Sequence, residues 1–132
     1  MVLVDSNVIL DVATDDRQWS RWSSHQLRHW LDRGPVAINA IVYGEIAFAC
    51  ETIESVDELL PPHLFDDRAL PREAAFLAAR AHADDCSRGG ERRTILPDFL
   101  IGAHALVERL PLLTRDQRRY RQAFPGLVLI SP

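Results

Sequence analysis

MVLVDSN, at residues 1–7, places four apolar residues directly before three polar ones. A short apolar run that contains valines is typical of a strand that is buried on both faces of a sheet. The Asp-Ser-Asn that follows is the chemistry of loops and of helix N-termini. The segment therefore predicts a buried strand over residues 1–4 with a carboxylate, Asp5, directly after its carboxyl end.

The alternation of strand and helix continues along the chain. Further strands are predicted over residues 36–39, 63–66, 111–114 and 127–131. Helices are predicted over residues 8–13, 15–34, 40–51, 56–60, 71–88, 97–109 and 115–124. Asn39 is expected to cap helix 40–51, and Ser55 with Glu58 has the spacing of a capping box for helix 56–60. Strands that alternate with helices predict a three-layer α/β/α fold with a central parallel sheet of about five strands.

Composition limits the possible classes of protein. The chain has 132 residues and 47% apolar residues, which predicts a single domain over residues 1–132. A net charge of −4 argues against a broadly basic nucleic-acid-binding surface, although it allows a local basic patch. All 15 basic residues are arginine, so mechanisms that require a lysine are excluded. Cys50 and Cys86 have no CxxC spacing, which favours a reduced, cytoplasmic protein. No apolar run reaches the length of a transmembrane helix, so no membrane association is expected.

Four acidic residues are expected at one edge of this sheet. Asp5 follows the first strand, Glu45 lies in the helix after the second, and Asp116 follows the strand at 111–114. Asp98 lies in the first turn of the helix that leads into that strand. Ligands of such sheets bind outside the carboxyl ends of the strands. An acid in a first turn also interacts favourably with the helix dipole, and for Asp98 the two roles are compatible.

Clustered carboxylates indicate a particular chemistry. Like charges raise one another's pKa, and packing them together is costly unless a cation lies among them. Oxygen ligands without histidine or cysteine suit Mg²⁺ or Mn²⁺. Such ions commonly bind substrate phosphates, and the reaction that fits is hydrolysis of a phosphodiester by a metal-activated water.

Four segments in this order resemble the acidic motifs of a known family. They are VDSN at 4–7, YGEIAFA at 43–49, LPDFLIGAHA at 96–105 and LLTRD at 112–116. Together they are similar to the motifs of PIN-domain ribonucleases, and the length resembles that of VapC-type toxins of type II toxin–antitoxin systems. The resemblance covers essentially the whole chain. Gly102 departs from it, since such toxins often have alanine there.

The resemblance implies a PIN-like fold with parallel strands in the order 3-2-1-4-5. It implies that one or two Mg²⁺ ions, which Mn²⁺ can replace, are held by Asp5, Glu45, Asp98 and Asp116. Asn7 and Thr114 would orient these acids. The family cleaves RNA, forms homodimers, and is neutralised by a small antitoxin protein whose C-terminal tail crosses the active site.

Arginines close to these acids are candidates for contacts with RNA phosphate or with an acidic antitoxin tail, because the guanidinium group pairs well with both. The candidates are Arg92, Arg93, Arg115 and Arg118. For Arg119 and Arg121, ordinary helix surface is an equally good interpretation. Asp11, which follows Asp5 in the chain, is expected to cap a helix or to lie at the surface.

Other functions fit the sequence less well. Phosphoryl-transfer enzymes of the receiver or haloacid-dehalogenase type depend on a lysine, which this chain lacks. A catalytically silent PIN-like module that binds RNA or protein remains the alternative, but such a module would be indicated by loss of acids, and all four are present. The sequence therefore predicts a Mg²⁺-dependent endoribonuclease that acts as a toxin.

Overall fold

A computed structural model describes residues 1–89 and 96–132. These residues form one five-stranded sheet. The strands are β1 (Leu3–Val4), β2 (Val36–Ile38), β3 (Phe65–Asp67), β4 (Leu112–Leu113) and β5 (Leu129–Ile130). All pairs are parallel and the order is β3-β2-β1-β4-β5. The predicted sheet, and the strand order that the resemblance implied, are confirmed.

The described residues also form helices between the strands. They are α1 (Ser6–Ala13), α2 (Ser20–Leu31), α3 (Ala40–Ala47), α4 (Ile53–Leu59), α5 (Arg72–Ser87), α6 (Leu96–Val107) and α7 (Gln117–Ala123). Connections between parallel strands are right-handed. The chain therefore places α1 to α4 on one face of the sheet and α5 to α7 on the other, which gives the predicted three layers.

The central strand explains why the sequence begins as it does. β1 lies between β2 and β4, and Val2, Leu3 and Val4 have no exposed surface. A strand covered by helices on both faces has no reason to alternate apolar and polar residues. The change to polar residues at Asp5 coincides with the end of the strand, so the chain emerges at the edge of the sheet with a carboxylate.

Two helices differ from the sequence prediction at their N-termini. One begins later, and the other has a different cap. The helix predicted over 15–34 is shorter, because the carboxylate of Asp16 accepts hydrogen bonds from the backbone N–H groups of Gln18 and Trp19 and forms a turn before α2. The capping box predicted at Ser55 is wrong. Thr52 caps α4 instead, since its side chain accepts a 3.1 Å hydrogen bond from the N–H of Ser55.

The cap predicted at Asn39 is confirmed. Its Oδ1 accepts hydrogen bonds of 3.0 Å from the N–H groups of Ile41 and Val42. Asn39 directly follows β2, so this cap fixes where α3 leaves the carboxyl edge of the sheet. None of the helices in the described ranges is long and apolar enough to cross a membrane.

Candidate active site

Asp5 is a buried carboxylate at the carboxyl end of β1, with 3% of its surface exposed. Its Oδ2 accepts hydrogen bonds from the Thr114 and Tyr120 hydroxyls, both at 2.9 Å, and from Asn7 Nδ2 at 3.3 Å. Its Oδ1 lies 3.5 Å from the Ser6 hydroxyl. One oxygen of this carboxylate is therefore fully engaged, whereas the other keeps capacity for a further ligand.

Thr114 and Asn7, which the family resemblance implied as supports of the acids, both lie against Asp5. Thr114 Oγ1 also accepts hydrogen bonds from Asn7 Nδ2 at 3.2 Å and from the N–H of Asp116 at 3.1 Å. Asn7 Oδ1 accepts a 3.3 Å hydrogen bond from the N–H of Arg115. These bonds tie the segment after β1 to the segment after β4, so the positions of Asp5 and Asp116 are coupled.

Glu45 reaches the same edge from α3. The Ser6 hydroxyl donates a 2.9 Å hydrogen bond to Glu45 Oε1. Because the same hydroxyl lies beside Asp5 Oδ1, Ser6 bridges two of the candidate acids. The burial of Glu45 is intermediate.

Asp98 and Asp116 meet at one guanidinium group. Arg119, in the first turn of α7, forms an ion pair through Nη1 with Asp98 Oδ2. Its Nε lies 4.0 Å from Asp116 Oδ2. The Asp98 side chain is 17% exposed and the Asp116 side chain 40% exposed, so this end of the site is more open than Asp5. The four predicted acids thus share the carboxyl edge of the sheet.

The acids influence one another's protonation. Burial raises the pKa of Asp5, and the charge of Asp98 adds to this, against hydrogen bonds from Thr114 and Tyr120 that lower it. Burial likewise raises the pKa of Glu45, with contributions from Asp5 and Asp98. The pKa of Asp98 is raised by burial and by Asp116, against the lowering effect of Arg119. The site therefore carries negative charge that the surrounding protein stabilises incompletely.

The donor set fits a hard divalent cation in its chemistry. All four candidate ligands are carboxylates, and excess negative charge at a partly buried site favours a bound cation. Within residues 1–89 and 96–132, however, no three His, Cys, Asp or Glu side chains are gathered closely enough to hold one metal ion. The acids lie at one edge of the sheet, but Asp98 and Asp116 are directed at the Arg119 guanidinium group.

Tyr120 contributes to the site, although it was not among the residues predicted from the sequence. Its ring is buried, 1% exposed, and its hydroxyl donates to Asp5. Gly102 makes room for it, because a Cβ at this position would lie 2.7 Å from the Phe124 ring and 3.0 Å from the Tyr120 ring. The departure from alanine at Gly102 was the available signal that a large side chain packs there.

His104 is a second residue that sequence reasoning missed. It has no exposed surface, and its Nδ1 lies 2.9 Å from Asn39 Nδ2. The amide donates in this pair, so Nδ1 accepts and Nε2 is assigned as the nitrogen that donates to Glu108 Oε2, at 2.9 Å. Because Asn39 caps α3, His104 supports the helix that carries Glu45.

The predicted arginines have different surroundings. Arg92 and Arg93 lie outside the described residues. Arg118 is exposed on α7 and lines a cavity of about 400 Å³ beside Asp116. Arg115 points its Nε at both oxygens of Asp11, at 3.1 and 2.9 Å, so part of its guanidinium group is occupied within the protein.

The expectation that Asp11 caps a helix or lies at the surface is wrong. Asp11 is 2% exposed within α1, and besides Arg115 it accepts a 2.7 Å hydrogen bond from the Ser23 hydroxyl of α2. A buried carboxylate requires such partners. The partner residues lie 12 and 104 positions away in the chain, so local sequence could not indicate them.

The fold and the site together define an α/β protein with an acidic centre at the carboxyl edge of a parallel sheet. The family model described as the PIN domain matches residues 2–125. The chain therefore belongs to the PIN domain family, as the ordered acidic motifs predicted. No curated protein matches the sequence.

Solved structures with this fold include several from toxin–antitoxin complexes. A chain of VapBC2 from Rickettsia felis, bound to a promoter DNA fragment, has a TM-score of 0.74 and 17% identity, with 100% of this chain and 99% of that chain covered. A chain of a toxin–antitoxin complex from Klebsiella pneumoniae has a TM-score of 0.67 and 22% identity, with 100% of this chain and 98% of that chain covered. A chain of VapBC-1 from nontypeable Haemophilus influenzae has a TM-score of 0.71 and 16% identity, with 99% of this chain and 98% of that chain covered. The TM-scores show that the fold is shared, and at these identities the likeness extends to the fold alone.

Proposed function

We propose that this PIN-domain protein is a Mg²⁺-dependent endoribonuclease and the toxin of a VapC-type toxin–antitoxin pair. The observation that carries the proposal is the placement of Asp5. A carboxylate that is 3% exposed, with its pKa raised by burial and by Asp98, is costly to the fold. A cost of this kind is characteristic of functional sites.

The chain's own residues hold and orient the proposed ligands. Thr114, Tyr120 and Asn7 fix Asp5 through Oδ2, which leaves Oδ1 as the ligand atom. Ser6 orients Glu45 toward the same place. Mg²⁺ or Mn²⁺ held by these acids would supply a Lewis acid and a more acidic water. The arginines nearby suit an RNA phosphate, since the guanidinium group binds phosphate through paired hydrogen bonds.

The alternative of a silent PIN-like binding module accounts less well for the site. A module that only binds RNA through arginines gains nothing from a buried carboxylate whose negative charge the surrounding protein stabilises incompletely. Hydrogen bonds from three side chains are directed at one oxygen of Asp5, which is the organisation expected when the orientation of a ligand matters.

An antitoxin partner is part of the same proposal. It is supported by the fold, which the chain shares with proteins whose structures are described as VapBC and toxin–antitoxin complexes. An open groove beside Glu45, which includes Leu10, Ile41 and Pro97, has Phe48 at its margin with 95% of its surface exposed. Large apolar surface of this kind suits a protein partner. A homodimer and a cytoplasmic location belong to the proposal through the family resemblance.

The decisive experiment compares Asp5→Asn with Asp32→Asn. Asp32 is exposed at the end of α2, so its variant controls for the loss of one negative charge. Purified wild-type protein and Asp32→Asn should cut structured RNA with Mg²⁺ or Mn²⁺, stop with chelator, and leave 5′-phosphate and 3′-hydroxyl ends. Asp5→Asn should bind RNA without cutting it and should not arrest growth when expressed. Equal cleavage by Asp5→Asn, or cyclic-phosphate ends, would refute the proposed mechanism.

A further inference from the structure

Arg119 has contacts that an ordinary surface arginine lacks. Both ion pairs that the described residues form with the four candidate acids are made by this one guanidinium group, to Asp98 and, at 4.0 Å, to Asp116. Its charge also lowers the pKa of Glu45. Arg119 therefore serves as a protein-derived counter-ion in the acidic centre.

This position competes with a bound cation. Arg119 engages Oδ2 of Asp98 and approaches Oδ2 of Asp116, so only Oδ1 of each carboxylate has no contact with this guanidinium group. The guanidinium group and a divalent ion would also repel each other across a few ångströms. In the described residues no three ligand-type side chains are gathered for one ion. The ion pair with Arg119 explains why Asp98 does not join such a group, because it holds the Asp98 carboxylate toward α7.

The other side of Arg119 borders a different environment. A cavity of about 400 Å³ lies between α5, α6 and α7, and Arg119 and Asp116 are part of its wall. Arg88 at the end of α5 and Arg118 and Gln122 of α7 also line it. Three guanidinium groups and an amide around one open cavity are suitable donors for a phosphate group, although Asp85 and Asp116 in the same wall limit the net positive charge.

We infer that Arg119 alternates between two partners: Asp98 and Asp116 in the metal-free protein, and an RNA phosphate in the adjoining cavity once those carboxylates hold a divalent cation. Arg118 and Arg88 complete the phosphate site. Arg119 is then a positioning residue that links metal binding to RNA binding, and each ligand strengthens the other by the same factor. The inference rests on the proposed nuclease function.

The first test measures Mn²⁺ binding without RNA, by calorimetry, for wild-type protein, Arg119→Gln and Arg121→Gln. Arg121 is exposed on the same helix and does not line the cavity, so its variant controls for the change in charge. Arg119→Gln should bind Mn²⁺ about tenfold more tightly than wild type, a typical size for a coupling between sites. Arg121→Gln should match wild type. Without metal, Arg119→Gln should also melt at a lower temperature than Arg121→Gln, because two acids lose their counter-ion.

The second test measures binding of a short phosphorothioate-linked RNA, with Mn²⁺ and with chelator. Mn²⁺ should tighten RNA binding by wild type several-fold more than binding by Arg119→Gln, whereas Arg118→Gln should weaken binding equally in both conditions. If wild type and Arg119→Gln bound Mn²⁺ with the same affinity, the inference about Arg119 would be overturned while the nuclease proposal stood. If neither protein bound Mn²⁺ at millimolar concentration, both would be overturned.

Discussion

The hydroxyl of Tyr120 lies 2.9 Å from Oδ2 of Asp5, although 115 positions separate the two residues in the chain. The contact joins α7, near the carboxyl end of the chain, to the first acid of the site. Burial, and after it the charge of Asp5, raises the pKa of Tyr120 well above its usual value, so the phenol stays protonated and remains a donor. Tyr120 thus completes the set of donors that fixes one oxygen of Asp5.

Removing this donor should destabilise the protein. Tyr120→Phe leaves a buried carboxylate oxygen with one hydrogen bond fewer, for which a loss of about 1–3 kcal/mol in the free energy of unfolding is expected. Because the hydrogen bond from Tyr120 lowers the pKa of Asp5, its loss should raise that pKa further. Urea unfolding at neutral pH measures the first effect.

Tyr43 offers a matched control for this variant. Its hydroxyl also donates to a carboxylate at 2.9 Å, that of Asp57, but on the exposed surface. Tyr43→Phe should leave the free energy of unfolding close to that of wild type, because substitutions at exposed hydrogen bonds have little effect. If Tyr120→Phe were as mild as Tyr43→Phe, the hydrogen bond to Asp5 would have no role in stability.

Gly102→Ala tests the packing that brings Tyr120 to the site. Alanine is the better helix former, which by itself would stabilise α6 by about 0.5–1 kcal/mol. The new Cβ would lie 2.7 Å from the buried Phe124 ring, however, and overpacking of a core typically costs about 1–3 kcal/mol. A net loss of stability is expected in urea unfolding, together with reduced RNA cleavage because Tyr120 shifts. An alanine variant more stable than wild type would show that the two rings move away easily.

The short apolar runs and the helix caps show how much of the fold the sequence could reveal. The run at 1–4 and the later short apolar runs predicted the parallel sheet, because strands covered on both faces are apolar throughout. Helix ends were less predictable. Ser55 and Thr52 both have side chains able to cap α4, and only the observed hydrogen bond to the Ser55 N–H distinguishes them.

The candidate site was predictable to the same degree. Acids that follow strands could be placed at the carboxyl edge from topology alone, and Asp5 and Asp116 lie there. The residues that hold these acids depend on packing between distant segments. Nothing local marks Tyr120 or His104, and the placement of Asp11 in the core depends on Arg115 and Ser23 from other elements.

Asp11→Asn should therefore affect stability and the site together. Asp11 is 2% exposed and pairs with Arg115, whose backbone N–H also binds Asn7. A hydrogen bond to a charged group contributes about 1.5–3 kcal/mol, so the free energy of unfolding should fall by about this amount in Asp11→Asn. Asp66→Asn is the control, since Asp66 pairs with Arg68 at 3.2 Å where both side chains are more than a third exposed. Exposed pairs contribute about 0–1 kcal/mol. Equal effects of the two variants in urea unfolding would contradict a structural role for Asp11.

The dependence of stability on pH should reveal the charge stored at the site. Asp5 has a pKa raised above its ordinary value of 3.8, and burial also raises the pKa of Glu45 and Asp98. The folded protein therefore binds protons at a pH where the unfolded chain is still ionised. By linkage, this destabilising contribution is fully present at pH values above the raised pKa values. It diminishes as the pH falls through them toward the ordinary values.

The contribution of Asp5 can be isolated by comparing variants without metal. Asn resembles the protonated acid, so Asp5→Asn should be more stable than wild type near pH 7, and its advantage should shrink as the pH falls toward the ordinary pKa of 3.8. Asp32→Asn, which changes an exposed acid, should show no such trend. Urea unfolding in chelator at several pH values measures the difference. An Asp5→Asn advantage that grew at lower pH would mean that the pKa of Asp5 is depressed, and that its hydrogen bonds from Thr114 and Tyr120 outweigh burial.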